Sequence, residues 1–517
     1  PTKYFNDFSR GNSFCLAPES LVEVYPNKVK KAKDILETDL LVDKKGYPTK
    51  IQGIVKLKDK ETLKIIFNLN GTTPITCTGE HPIAVKIKST GTHKPMLLGT
   101  LKVLNKFLKA LEGKTEVKKE EIALKVGKSA SGCTKFWKLL EKYGKIKTTK
   151  KRVYVLDTEL FDEYLLDYGI YFKEAKDLEV GDYVAYPKPI YNNSSVIDTF
   201  DLAEIFKDDG FAITENYIYY NRSQISAENY EYFRGESEKI PDSFIYKAKW
   251  EQLTCLKDTP YRFKRYLKLS SELGSFAGLW LAEGWSTGTA HHVKEIEVVN
   301  KIYNDIGIPY KIRYKEGNGC YASFHCKWLA RFMGYICGYG AKNKFIHDVV
   351  FNAPQEFVDN FIKMYYFGDG SEGVYDRRHV KAAKTVSYQL ALNMQKLLLI
   401  RQGIIASVVR DAEPSKKSKI NEKEIKSGIS YNIYIRPQES HSNLWRQDEK
   451  YIYWRVNSIE YSGSSDVYAF ETEDSTFCAY NILTHNSKIP LGKHRLPGKG
   501  LEAYKPELKG MDPNDYP

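Results

Sequence analysis

The sequence predicts a multidomain chain in which an all-β domain is interrupted by a small basic helical insert and by an α+β domain. Three observations carry that reading. Short β-rich runs occupy residues 15–99, return at 166–190 and return again at 446–486. Between Leu101 and Arg152 stand 16 Lys+Arg against 5 Asp+Glu, so most of the chain's net charge of +13 is packed into one short block. Two apolar stretches near the middle share a small-residue pattern and end in acid-Gly, at Glu283-Gly284 and Asp369-Gly370.

A length of 517 residues exceeds what one core serves, and a hydrophobic content of 42% suffices to bury several. No apolar run approaches a membrane span, and no signal pattern opens the chain. The expectation is therefore a monomer in a cytoplasmic, reducing compartment, with no membrane partner. Cysteines stand scattered at 15, 77, 133, 255, 320, 326, 337 and 478. Cys320 and Cys326 lack the paired spacing of a zinc site, so most cysteines read as small buried apolar residues. The excess positive charge favours a polyanionic partner.

Residues 1–14 read as a short polar lead. In 15–99 the runs Leu21–Val24, Thr49–Val55, Thr62–Phe67 and Ile83–Ile87 predict strands, with Asn70-Gly71 as a hairpin turn. At about residue 100 the period changes. Leu101, Leu104, Phe107, Leu108 and Leu111 fall on one helix face, and Glu120–Val126 and Thr134–Tyr143 predict two more helices. Lys145–Lys147 and Arg152–Val155 then predict a strand pair. Three helices and a hairpin follow the order of a winged helix-turn-helix, here assigned to residues 100–165. Double-stranded DNA is the expected partner, with Ser129–Tyr143 as recognition helix. Lys128, Lys135, Lys138, Lys142, Lys145, Lys147, Lys150, Lys151 and Arg152 are the candidate phosphate contacts. The alternative is a solvated lysine-rich hairpin. Phe136 and Trp137 read as core. Residues 191–270 are aromatic and charged, a connector or another DNA-contacting part.

In 271–445 the stretches 271–284 and 361–370 predict two helices whose small residues permit close approach. Parallel packing would bring Glu283 and Asp369 to one end, where paired carboxylates hold a hard divalent cation such as Mg²⁺. The alternative is two core helices, each with a glycine C-cap. His291-His292 reads as a pair of exposed loop histidines.

The chain's ends carry a second chemistry. In His485-Asn486-Ser487 an asparagine can attack its own carbonyl through its side-chain amide, a histidine can move the proton, and a serine offers a hydroxyl nucleophile. Cys15, Thr78-Gly79-Glu80-His81-Pro82 and the strand-rich Val467–Phe477 stand in order before it. Together these motifs resemble an intein, a self-splicing insert spanning residues 15–486, with 1–14 and 487–517 as flanking host (extein) segments and partners in the reaction. The resemblance implies a horseshoe-shaped splicing (Hint) fold and assigns roles. Cys15 attacks the Phe14 carbonyl, Thr78 and His81 assist, Ser487 accepts the acyl group, and Asn486 cyclises with help from His485. No cofactor is implied for splicing. Ala469 stands where many relatives carry aspartate. A hedgehog-type autoprocessing domain would share Cys15, Thr78 and His81 but not the terminal triplet.

The two acid helices resemble the paired motifs of a LAGLIDADG homing endonuclease. That resemblance places Glu283 and Asp369 at the metal, Lys344 at the family's lysine, and Thr385–Gly403 on the helix after the second motif. It implies Mg²⁺-dependent cleavage of the insert-free host gene. An alternative within it is a degenerate DNA-binding remnant. Two positions depart from the pattern: Trp285–His292 is short for the strand pair expected there, and His347 stands where proline is frequent.

Overall fold

A computed structural model of the chain describes residues 14–67, 74–87, 98–111, 113–129, 131–142, 146–149, 152–156, 168–189, 196–207, 212–213, 215–220, 261–285, 287–315, 317–324, 326–375, 378–411, 418–420, 423–425, 429–435 and 445–486. Antiparallel sheets and helices divide between two compact units, residues 1–190 with 439–517 and residues 191–438.

The first unit is built on a twelve-stranded antiparallel sheet. Its frame is a pair of long strands, Pro48–Phe67 and Tyr451–Thr472. Strict alternation makes the first of them: Thr49, Ile51, Gly53, Val55 and Leu57 are buried, while Lys50, Gln52 and Lys56 face out. The runs at Thr49–Val55 and Thr62–Phe67, expected as separate strands, are one. The polar Lys56–Glu61 between them pairs with Ser464–Tyr468, so cross-strand bonding carries what the local pattern does not. Four register shifts bend the pair, as bulges do. Ten shorter strands complete the sheet, among them Ile75–Thr78, Pro82–Lys86, Ile170–Glu174, Tyr183–Pro187, Thr476–Ala479 and Ile482–His485. The turn expected at Asn70-Gly71 lies outside the described residues.

Within this unit the basic block forms helices Leu98–Leu111, Lys119–Lys125 and Thr134–Lys142. They accompany a three-stranded sheet of Glu116–Lys118, Arg152–Val155 and Ile146–Thr148, in that spatial order. Leu104, Phe107, Leu111, Ile122, Phe136, Trp137 and Val153 are buried. Phe107 stacks on Phe136 at 5.0 Å and meets Trp137 edge-on at 4.8 Å.

The second unit centres on helices Ser271–Glu283 and Gln355–Gly368. A Cβ on Gly274 would lie 2.3 Å from the Phe357 carbonyl oxygen, and one on Gly278 2.1 Å from that of Phe361. Contacts that advance four residues on both helices together define parallel packing at glycine-limited separation. After the first helix comes a three-stranded sheet of Gly288–His292, Gly319–Phe324 and Tyr310–Tyr314; after the second, a four-stranded sheet of Gly370–Tyr375, Arg378–Thr385, Tyr431–Ile435 and Ala406–Arg410. Helices Ile296–Asp305 and Tyr388–Gln402 occupy matching places in the two halves. The second begins at Ser387, whose hydroxyl accepts from Leu390 N, and stops at Gly403, which is left-handed (φ 65°).

The segment Trp285–His292 is as short as the sequence indicates and holds a single strand: Gly284 already bridges Thr289 and the chain turns into helix by Ile296. The second unit runs to Gln438, and Trp445–Gln447 pairs with Ile452–Trp454 in the first unit's sheet. Of the undecided stretch 191–270, Phe200, Phe206, Ile218 and Phe263 join the core of the acid helices, with Phe200 at 5.4 Å from Phe332.

Candidate functional site

In the first unit, Cys15–Ala17 lies between two strands. Leu16 exchanges main-chain bonds with Tyr468 (2.9 and 2.8 Å), Thr78 N donates to Cys15 O (3.0 Å), and Ala17 N donates to Thr76 O (2.8 Å). Cys15 is fully buried, packed with Val55, Leu57, Val467 and Ala469. Ala469 is thus part of an apolar wall beside the thiol.

Thr78, at the end of its strand, accepts from Cys15 N at 3.2 Å through its hydroxyl. The turn at Gly79-Glu80 then places His81, whose N donates to Thr78 O. The His81 ring is completely buried, with the Phe14 backbone within reach of it. Burial drives its pKa down to about 3; the adjoining Phe14 backbone opposes that drop and His485 adds to it. His81 is therefore a neutral imidazole next to both ends of the 15–486 segment.

Asn481, left-handed at φ 61°, turns the chain into strand Ile482–His485. Its N donates to the buried Glu23 carboxylate (3.0 Å) and its O accepts from Trp454 Nε1 (2.8 Å). Phe172 packs edge-on against His485 at 5.1 Å. His485 Nδ1 lies 2.9 Å from the Asn486 carbonyl oxygen; a carbonyl only accepts, so this bond requires the Nδ1–H tautomer. Asn486 is buried, with N on Ser475 O (3.0 Å) and Nδ2 on Thr472 O (3.1 Å). Ser487 lies outside the described residues.

In the second unit, parallel packing brings the acids to one end. Glu283 closes the first helix, and a Cβ on Gly368 would lie 3.2 Å from Glu283 Cγ; Asp369 follows immediately. Neither following glycine is a left-handed cap. Gly284 has φ −81°, and a Cβ there would lie 2.3 Å from the Trp280 carbonyl oxygen. At Gly370 the same atom would lie 1.9 Å from Tyr366 O. Glycine is needed because the chain doubles back on the helix end.

Burial pushes the Asp369 carboxyl up to about 7; the Lys344 ammonium pulls it down and the Glu283 carboxylate adds to the rise. Burial also raises Glu283, again opposed by Lys344. Lys344 is buried, lowered by that burial, and donates to Ala282 O at 2.7 Å. Two hard carboxylates, both raised by burial and one raised further by the other, suit a divalent cation of the Mg²⁺ type. Among the described residues no group of three or more His, Cys, Asp and Glu forms a metal cluster. The pair would thus be two ligands, the remainder coming from water, main chain or phosphate.

His347 fits its place without proline: its N donates to Ile336 O, and Nδ1 caps helix Asp348–Phe351. His291 corrects the reading of the His-His pair. It lies in a strand, buried, with Nε2 2.6 Å from Thr289 Oγ1, which in turn lies 2.9 Å from Tyr303 OH. Alternation in Gly288–His292 was hidden by its glycine and alanine. Thr472, Glu23 and Trp454, which hold the C-terminal junction, carry no sequence signal.

In the basic block, Lys128, Lys135, Lys138, Lys147 and Arg152 are exposed. Arg152 is ion-paired to Glu116, which takes it from the free cations. Glu141 accepts from Thr148 N and fastens the third helix to the hairpin. Lys145, Lys150 and Lys151, and the Lys142 side chain, lie outside the described residues.

The chain is 26% identical over 277 residues to an uncharacterized protein of Methanocaldococcus jannaschii, covering 44% of this chain and 30% of that protein. It is 31% identical over 124 residues to the DNA-directed RNA polymerase subunit Rpo1C of the same organism, covering 22% of this chain and 14% of the subunit. The matched stretches span less than a third of either relative. No known family model matches the chain. No helix among the described residues is long and apolar enough to cross a membrane.

Proposed function

We propose that residues 15–486 are an intein that splices itself out, with an embedded LAGLIDADG endonuclease and a winged-helix-like DNA-binding insert. What supports splicing most is one arrangement: the Thr78 hydroxyl on Cys15 N, with neutral His81 beside the Phe14 backbone and near His485. Cys15 Sγ attacks the Phe14 carbonyl, the C–N bond breaks, and the Cys15 nitrogen gains a proton. His81, unprotonated at neutral pH, is suited to take the thiol proton and pass it to that nitrogen. Ser487 Oγ then displaces Cys15 Sγ to give a branched ester. Asn486 Nδ2 attacks its own carbonyl, polarised by His485 Nδ1–H, and releases the Ser487 amine. That amine attacks the ester and leaves a Phe14–Ser487 peptide bond.

In the second unit, Glu283 and Asp369 would hold Mg²⁺, which when bound supplies charge stabilisation for a leaving phosphate oxygen. Lys344, whose pKa burial lowers and both carboxylates raise, orders the first helix end through Ala282 O. The carrying observation is the parallel glycine-limited contact that sets two acids side by side. A degenerate DNA-binding remnant is the second reading, favoured by the strand missing from the first half.

The test is to weigh the products. Purified full-length chain should yield a 472-residue piece, Cys15 to Asn486, and a joined 45-residue peptide, from the 517 residues given. Asn486→Ala should stop release and ligation yet allow thiol-induced cleavage after Phe14. An intact wild-type precursor under reducing conditions would overturn the splicing reading.

A further inference from the structure

We infer that Thr472 is a positioning residue for the C-terminal step, the one that aims the Asn486 nucleophile; the inference rests on the splicing reading above. Cyclisation needs Nδ2, not Oδ1, to face the Asn486 carbonyl carbon. Nδ2 must lose a proton as the Nδ2–C bond forms, and the Ser487 nitrogen gains one as its C–N bond breaks. The two ends of a carboxamide are nearly the same size, so shape alone does not choose between them. Charge does.

Thr472 presents two acceptors to the Asn486 side chain. Its carbonyl oxygen lies 3.1 Å from Nδ2 and its hydroxyl oxygen 3.4 Å. The hydroxyl proton is committed elsewhere, donated to Thr476 O at 3.1 Å, so toward Asn486 the oxygen acts as an acceptor. An amide oxygen turned into this place would meet two acceptors and no donor. Only the NH₂ end fits. Thr472, Thr476 and Asn486 are all buried, which removes water as a substitute partner.

The main chain is fixed at the same turn. Asn486 N donates to Ser475 O at 3.0 Å, and Ser475 takes a left-handed φ of 58° that shapes the turn. One short turn, Thr472–Thr476, thus holds both the backbone and the side chain of the reacting asparagine, while His485 Nδ1 addresses its carbonyl. Asn486 Oδ1 is buried and has no partner among the described residues, the expected cost of fixing the amide by its nitrogen alone.

The experiment uses the full chain in a Cys15→Ala background, which isolates cleavage after Asn486. Release of the peptide 487–517 and the ratio of succinimide to hydrolysed asparagine at the new C-terminus are followed by mass. Thr472→Val keeps shape and main chain but removes the hydroxyl; release should slow about tenfold or more and the succinimide share should fall. Thr472→Ser should restore both. With Cys15 intact, Thr472→Val should leave thiol-induced cleavage after Phe14 at the wild-type rate. Unchanged release in Thr472→Val, or equal loss at both junctions, would overturn the role of Thr472. No release from the Cys15→Ala parent, together with an intact wild-type chain, would overturn the splicing reading itself.

Discussion

Asp369 shows how a single residue can report its purpose through stability. In the folded chain its pKa is raised to about 7 from an ordinary 3.8. Between those values the native state binds the proton that the unfolded state has released. Stability contributed here is therefore present below pH 3.8 and is lost as pH rises through 7. In metal-free buffer, Asp369→Asn should match the wild type near pH 3.5 and exceed it at pH 8, by up to a few kcal/mol. Thermal unfolding of both proteins across that range checks it. Mg²⁺ should narrow the gap at pH 8 by stabilising only the wild type. A gap independent of pH would show that Asp369 is not a suppressed carboxylate. Residues of this kind were legible as acid-Gly at the end of an apolar helix. His291 was not, because its burial comes from the opposing strand, through the register His291↔Cys320, and not from its own neighbours.

Elements were readable where their period was long and hidden where pairing across the fold made them. The glycine spacing of Ser271–Glu283 announced close packing before any partner was visible. Strand Glu116–Lys118 did not announce itself, since three residues pair only because Arg152–Val155 lies alongside. Gly278→Leu should be among the costliest single changes in the second unit. Its first added carbon alone would sit 2.1 Å from backbone, so the helices must separate, at a cost of about 3 kcal/mol or more. Unfolding of the second unit, followed by limited proteolysis, should begin several degrees earlier. In the basic block, deleting residues 101–152 should weaken binding to duplex DNA and flatten its salt dependence, each lost phosphate contact removing about 0.9 from the log-log slope. With Arg152 ion-paired to Glu116, Lys135 and Lys138 on the exposed face of the third helix should contribute more to that slope. An unchanged slope after the deletion would mark the charge as solvated surface.

At the scale of the molecule, the candidate chemistries fall in different compact units: Cys15, Thr78, His81, His485 and Asn486 in one, Glu283, Lys344 and Asp369 in the other. No residue is shared, so the activities should be separable by point substitution. Asn486→Ala should abolish ligation and leave DNA cleavage intact, whereas Asp369→Asn or Glu283→Gln should abolish cleavage and leave splicing intact. The substrate is a duplex of the host gene without the insert, joined between the Phe14 and Ser487 codons, incubated with Mg²⁺. On the proposed reading, cleavage of both strands should require both acids, each helix end contributing one carboxylate. The half that follows Glu283 has three strands and its counterpart four. The two strands need not be cut at equal rates, and a nicked intermediate should accumulate before the double-strand break. Gel analysis of a supercoiled plasmid carrying the joined site resolves nicked from linear product over time. If the wild-type protein binds that plasmid with Mg²⁺ present and leaves it supercoiled, the second unit is a DNA-binding remnant, and its paired carboxylates are retained only as part of the helix contact.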